Sequence, residues 1–157
     1  AKVGAVKLEG GAKVVPHIQK LIAAGIPVMG HLGLTPQSVH ALGGFKVQGR
    51  GEEGQVIIND AKALEAAGVF AIVLEAVPAG LASEISKQLS IPTIGIGAGV
   101  DCDAQVLVWT DLVGITEKIP KLAKAYRNLR KEIADAASEF ARDVANGDFP
   151  AKDQSFS

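Results

Sequence analysis

Cysteine is nearly absent. Cys102 is the only one in 157 residues, so no internal disulfide can form, and the chain suits a reducing compartment. Charge of either sign is not in excess: the net value is −1, which gives no electrostatic case for a nucleic-acid or membrane partner. No apolar run reaches the length that crosses a bilayer, and no signal peptide opens the chain. These absences lead us to expect a soluble, cytoplasmic protein. Internal repeats, linkers and low-complexity tracts are also missing. An initiator Met is lacking too, and the chain begins almost directly on a strand, so we expect a piece of something longer or a processed chain. Aromatics make up only 4%.

What is abundant is Ala, Val, Ile, Leu and Gly. Apolar residues reach 48%, enough for a real core, and the β-branched bias suits strands buried under helices. The pattern alternates strand and helix. Strands are expected at Val3 to Glu9, Ile26 to His31, Phe70 to Glu75, Pro92 to Ile96 and Gln105 to Trp109. A helix from Val14 to Ala24 follows the first strand, with Val14, Ile18, Leu21 and Ile22 on one face and Gly25 as its stop. Thr35 caps a short helix with Pro36 at its first position, closed by Gly43-Gly44. A glycine-bearing polar loop, "KVQGRGEEG", precedes a helix capped by Asn59 or Asp60 that runs through Ala67 and closes at Gly68. Another helix spans Pro78 to Leu89. After Pro120 the chain turns helical to about Ala145, giving a C-terminal helical segment at 119–146 with Leu129, Ile133, Phe140 and Val144 as its apolar stripe. "AKDQSFS" reads as a tail. The whole reads as one α/β domain over 1–157.

Alternating strands and helices imply parallel strands with right-handed crossovers. Five such units cannot close an eight-stranded barrel, which needs about 250 residues. The options are an open, doubly wound sheet or the later part of a barrel.

Polar residues gather at the carboxyl ends of the expected strands. Lys7 and Glu9 end the first, His31 the second, Glu75 the third, and Gly95, Gly97 and Gly99 the fourth; Asp111 follows the fifth. Functional sites of parallel α/β folds lie at those ends. In "AVKLEGG", Lys7 and Glu9 share one strand face and Val6 and Leu8 the other. Charges placed there are paired or put to use. Lys7 and Glu9 either form a structural ion pair or face a ligand. Glu75 lies in the apolar run "AIVLEAV", where burial favours proton uptake; it either abstracts a proton or pairs with Lys7. His31 is either a hydrogen-bonded structural histidine or a substrate contact. The glycines of "GIGAG" do not match GxGxxG and serve a tight turn or the close approach of a ligand. Cys102 has no His or second Cys beside it for nucleophilic or metal work. Asp101 and Asp103 read as loop or cap residues. His17 and His40 are assigned no role.

Taken together, "AVKLEGG", "PVMGHLGLTPQSVHALGGFKVQGR", "DAKALEAAGVFAIVLEAVPAGLA", "IPTIGIGAGVDCDAQVLVWTDLVGI" and "FPAKDQSF" resemble the ketopantoate hydroxymethyltransferase family from end to end. Departures are small: Ala104 where the family commonly has glycine, Phe45 where it often has tyrosine, and Gln154 where it often has histidine. The resemblance implies a (β/α)8 barrel of the phosphoenolpyruvate mutase and isocitrate lyase type, with this chain supplying about five of the eight units. It implies transfer of a hydroxymethyl group from 5,10-methylenetetrahydrofolate to 3-methyl-2-oxobutanoate, giving 2-dehydropantoate, the first step of pantothenate synthesis. It also implies Mg²⁺ or a similar divalent ion and a homo-oligomer, commonly a decamer.

By the same resemblance, Glu9 matches the metal-site carboxylate and Lys7 the lysine that holds the keto acid. Glu75 matches the general base, and His31 a histidine near the substrate. Two aspartate ligands and a serine belong to family strands that precede "AVKLEGG" and are not in this sequence. The chain is therefore expected to be the C-terminal portion, partnered by the N-terminal part of the barrel. The alternatives are a truncated chain that folds or oligomerises without turnover, or a related C–C lyase; the "GHLGLTPQS" block opposes the latter.

Overall fold

The computed structural model describes residues 2–38, 44 and 46–156. His40, Gly43 and Phe45, named above, lie outside the described residues. The chain divides into two compact units, Ala1–Val106 and Leu107–Ser157.

The first unit holds a five-stranded parallel sheet: β1 (Val6–Glu9), β2 (Val28–Gly33), β3 (Ala71–Glu75), β4 (Thr93–Ile96) and β5 (Ala104–Gln105). The strands lie side by side in chain order, β1-β2-β3-β4-β5. Three helices connect them: α1 (Val15–Ala23), α2 (Glu53–Ala66) and α3 (Ala79–Gln88). Ile18 of α1, Ile57, Ile58, Ala61 and Leu64 of α2, and Ala82 and Ile85 of α3 form one buried cluster. They meet Val28, Leu32, Ile72 and Leu74, which alternation places on a single face of the sheet. All three helices thus pack on that face. Chain-order strands with one-sided crossovers make a singly wound sheet, whereas a doubly wound sheet reverses its order and carries helices on both faces.

Gly30 shows how tightly α2 sits on β2, since a Cβ there would come 2.9 Å from Leu64 Cδ1. Helix α2 starts at Glu53, earlier than its expected cap. Asn59 and Asp60 stand inside it and do other work. Asn59 accepts from the Gln55 side chain one turn earlier at 3.0 Å, and Asp60 Oδ1 accepts the Ala12 N–H at 2.8 Å. That bond ties α2 to the turn after β1, a tertiary use that mimics capping chemistry in the sequence. After Thr35 the chain makes a single 3-10 turn, Pro36–Ser38.

Strand β5 is shorter than expected. It pairs on one edge with β4, through Ala104 and Gln105 only, and Trp109 opens a helix instead. An apolar run such as "VLVW" does not by itself distinguish strand from helix. Asp103 closes the start of β4: its Oδ2 accepts from the Thr93 N–H at 2.7 Å and from the Thr93 hydroxyl at 2.9 Å. The Thr93 N–H, and then its hydroxyl, hold the Asp103 carboxyl below its usual range. A depressed folded value means the stabilisation is present above the unfolded value of about 3.9 and fades as pH falls through the lower folded one. Asp103→Asn should therefore lower the urea midpoint at pH 7, and the gap to wild type should shrink below about pH 4. A gap that stays constant from pH 7 to pH 3 would refute this account.

The second unit contains a short helix, α4 (Trp109–Leu112), and a long one, α5 (Leu129–Asn146). The helix expected from Pro120 starts only at Leu129, because Asn128 caps it, its side chain accepting the Lys131 N–H at 3.2 Å. Gly147, with φ +76°, ends it. Leu129, Ile133, Phe140 and Val144 remain exposed. Among the described residues no helix is long and apolar enough to cross a membrane.

Candidate active site

The face of the sheet away from the helices carries the charged residues. Parallel register pairs Lys7 with Met29, Glu9 with His31, His31 with Val73, and Gly33 with Glu75. Residues two apart share a face, so Lys7, Glu9, His31 and Glu75 all project to the side opposite the core. They ascend toward the carboxyl edge: Lys7 lowest, Glu9 and His31 level, Glu75 one pleat higher.

His31 sits between the two carboxylates. Its Nδ1 is 3.5 Å from Glu9 Oε1 and its Nε2 is 3.2 Å from Glu75 Oε2. The imidazole is 1% exposed, while each carboxylate side chain keeps 16%. Neither ring nitrogen makes an aligned hydrogen bond. Glu9 has a second anchor, since its Oε2 accepts the Gln37 N–H at 3.0 Å. That N–H belongs to the first turn after Pro36, where backbone donors have no partner within the helix. Lys7 is exposed and pairs with no carboxylate among the described residues. The structural ion pairs weighed for it, with Glu9 or with Glu75, are therefore not formed.

The backbone around Glu75 is tightly held. Its carbonyl accepts the Leu34 N–H at 2.8 Å. The next residue, Ala76, has φ +49°, a left-handed conformation that costs a residue with a Cβ roughly 1–2 kcal/mol. It is fixed from both sides, its N–H donating to Ile96 at 2.9 Å and its carbonyl accepting from Gln48 at 2.9 Å. Gly33, with φ +89°, lies against this turn, and a Cβ there would fall 2.2 Å from the Glu75 carbonyl oxygen. Gly33→Ala should destabilise the fold by about 2–4 kcal/mol, by strain and backbone displacement together. Chemical denaturation measures it, and an unchanged midpoint would contradict the close approach.

A cavity of about 290 Å³ between the turn after β1 and α2 has Gly10, Gly11, His31, Gly33, Glu53 and Asp60 in its wall, and Lys7, Glu9 and Glu75 are not among its lining residues. The other singled-out residues lie elsewhere or serve packing. A Cβ at Gly99 would come 2.5 Å from Ala79 Cβ, and one at Gly95 would come 3.1 Å from Cys102 Sγ. These two glycines permit close packing of the chain. Asp111 belongs to the second unit. Sequence reasoning missed Gly33 and the Gln37 N–H. The signal for the second was present in Pro36, which marks a turn whose following N–H is free.

A hard divalent cation such as Mg²⁺ takes about six oxygen ligands. Glu9 is a donor of that type, but among the described residues no three His, Cys, Asp or Glu side chains form a set able to hold a metal ion. The described residues do not by themselves fit such an ion.

A family model described as ketopantoate hydroxymethyltransferase matches residues 1–152. A 3-methyl-2-oxobutanoate hydroxymethyltransferase of Acidothermus cellulolyticus is 61% identical over 151 residues, 96% of this chain and 56% of that protein. The proteins of the same name from Thermobifida fusca and Streptomyces coelicolor are 56% and 57% identical, covering 97% and 99% of this chain and 55% and 54% of their own length. The chain spans about half the length of the curated relatives it matches. Matched almost throughout, and at more than half identity, the chain belongs to the ketopantoate hydroxymethyltransferase family.

Proposed function

We propose that this chain forms the later part of a (β/α)8 barrel whose mouth transfers a hydroxymethyl group to 3-methyl-2-oxobutanoate. The barrel reading is supported by the chain-order sheet whose connecting helices α1, α2 and α3 all pack on the same face. The observation that carries the chemistry is the convergence of Glu9 and Glu75 on His31, at the carboxyl ends of three adjacent parallel strands. Family membership supplies the substrates: a 2-oxo acid, and 5,10-methylenetetrahydrofolate as the one-carbon donor.

In this reading Glu75 is the base. Its carboxylate takes the proton from C3 of the oxo acid, and the C–H electron pair passes into the adjacent carbonyl system, giving an enolate. The one-carbon unit becomes reactive as water cleaves both C–N bonds of 5,10-methylenetetrahydrofolate, releasing tetrahydrofolate and a formaldehyde-level carbonyl. The enolate carbon adds to that carbon, the C=O pair moves onto oxygen, and a proton completes the hydroxymethyl group. Lys7 is exposed, unpaired and on the same face, and holds the substrate carboxylate as a point charge. Glu9 would contribute one oxygen to a divalent cation, whose other ligands would have to come from outside the described residues.

The test uses the full-length protein. Mg²⁺ should raise its affinity for 3-methyl-2-oxobutanoate, and the bound acid should exchange its C3 hydrogen in D₂O without folate. A second reading, a chain that folds without turnover, is favoured by the lack of a three-ligand group among the described residues. If Mg²⁺ leaves oxo-acid affinity unchanged in the isolated chain, that second reading is the better one for the chain alone.

A further inference from the structure

We propose that His31 acts as a positioning residue for Glu75, through Nε2, and not as a substrate contact. The inference rests on the assignment of Glu75 as the base. Three observations carry it. First, the imidazole is 1% exposed and each of its nitrogens already faces a carboxylate, so neither nitrogen is open to a ligand. Second, the residue level with Glu75 on the neighbouring strand is Gly33. It has no side chain to fill that place, so Glu75 leans back one pleat onto His31. Third, the two carboxylates depend on His31 unequally. Glu9 is also held by the Gln37 N–H at 3.0 Å. Glu75 Oε2 lies closer to the ring, at 3.2 Å, and its carboxylate has no other polar partner among the described residues. Loss of the imidazole would leave Glu9 tethered and Glu75 free to rotate away from the reacting carbon. A displacement of about 1 Å in a reacting group can cost on the order of 10²-fold in rate.

The two ring nitrogens can be tested separately. The amide nitrogen of glutamine falls near the Nε2 position of histidine, and that of asparagine near Nδ1. His31→Gln keeps a donor toward Glu75, and His31→Asn keeps one toward Glu9. The measurement is C3 hydrogen–deuterium exchange of 3-methyl-2-oxobutanoate by the full-length enzyme with Mg²⁺, with kcat and KM determined separately. His31→Asn should lose about 10–100-fold in kcat with KM changed by less than about twofold, and His31→Gln should restore most of the rate. Equal loss in both variants would overturn the inference, because a merely structural role makes no distinction between the nitrogens. So would a raised KM with unchanged kcat, which marks a substrate contact. A crystal structure of the wild-type enzyme decides the matter even if both variants misfold. Nε2 farther than about 4 Å from both Glu75 oxygens overturns the inference, and a contact at hydrogen-bond distance supports it. Wild-type enzyme without any exchange would remove the functional reading and this inference with it. Wild-type exchange matched by both variants would remove this inference alone.

Discussion

Glu75→Gln in the full-length enzyme should lower C3 proton exchange by 10²–10⁴-fold while leaving oxo-acid affinity nearly unchanged. The size is about what a positioned general base contributes. The reasoning is geometric. Glutamine keeps the shape of the side chain and can still contact His31, 3.2 Å away in the wild type, but its amide cannot take up the proton. The carbonyl of residue 75 still accepts from Leu34, and the left-handed turn at Ala76 is untouched, so the fold should hold. Solution NMR of the oxo acid in D₂O reads the exchange directly. Turnover at the wild-type rate would take Glu75 out of the base role, whatever else the site does.

Glu9→Ala should weaken Mg²⁺ binding by about 10–100-fold or more, since even changes to groups that only support a ligand have effects of that size. The substitution removes an anionic oxygen, leaves the Gln37 N–H without its acceptor, and takes away the carboxylate that His31 Nδ1 faces. Calorimetric Mg²⁺ titration in the presence of the oxo acid separates the two effects. The donor left behind lowers stability, while loss of a ligand lowers cation affinity. Glu9→Gln refines the test by keeping the shape and removing the charge. Cation affinity equal to wild type in both variants would show that Glu9 is not a ligand.

Much of the fold was legible because local rules and tertiary packing agree. The alternation of apolar strands and amphipathic helices predicted parallel β–α units, and the polar residues at strand ends do share one edge of the sheet. The errors fell where a residue of capping chemistry is used across the fold. Asp60 looks like a helix cap and instead holds the Ala12 N–H, 48 positions away in sequence. β5 and the start of α5 were misjudged for a related reason: apolar runs and helix-forming residues continue past the point where pairing or a cap ends the element.

The site divides in the same way. From the sequence alone came the residue types, the shared face of Lys7 and Glu9, and the resemblance that matches Glu75 to a base, because side-chain alternation and motif spacing are properties of the chain itself. Only the tertiary structure decided that His31 stands between two carboxylates, that Lys7 pairs with neither, and that Gly33 leaves room beside Glu75. Those facts depend on the register of neighbouring strands. A slip of one residue would send every one of these side chains to the opposite face, and register is set by helix packing over the whole sheet, which no single segment encodes.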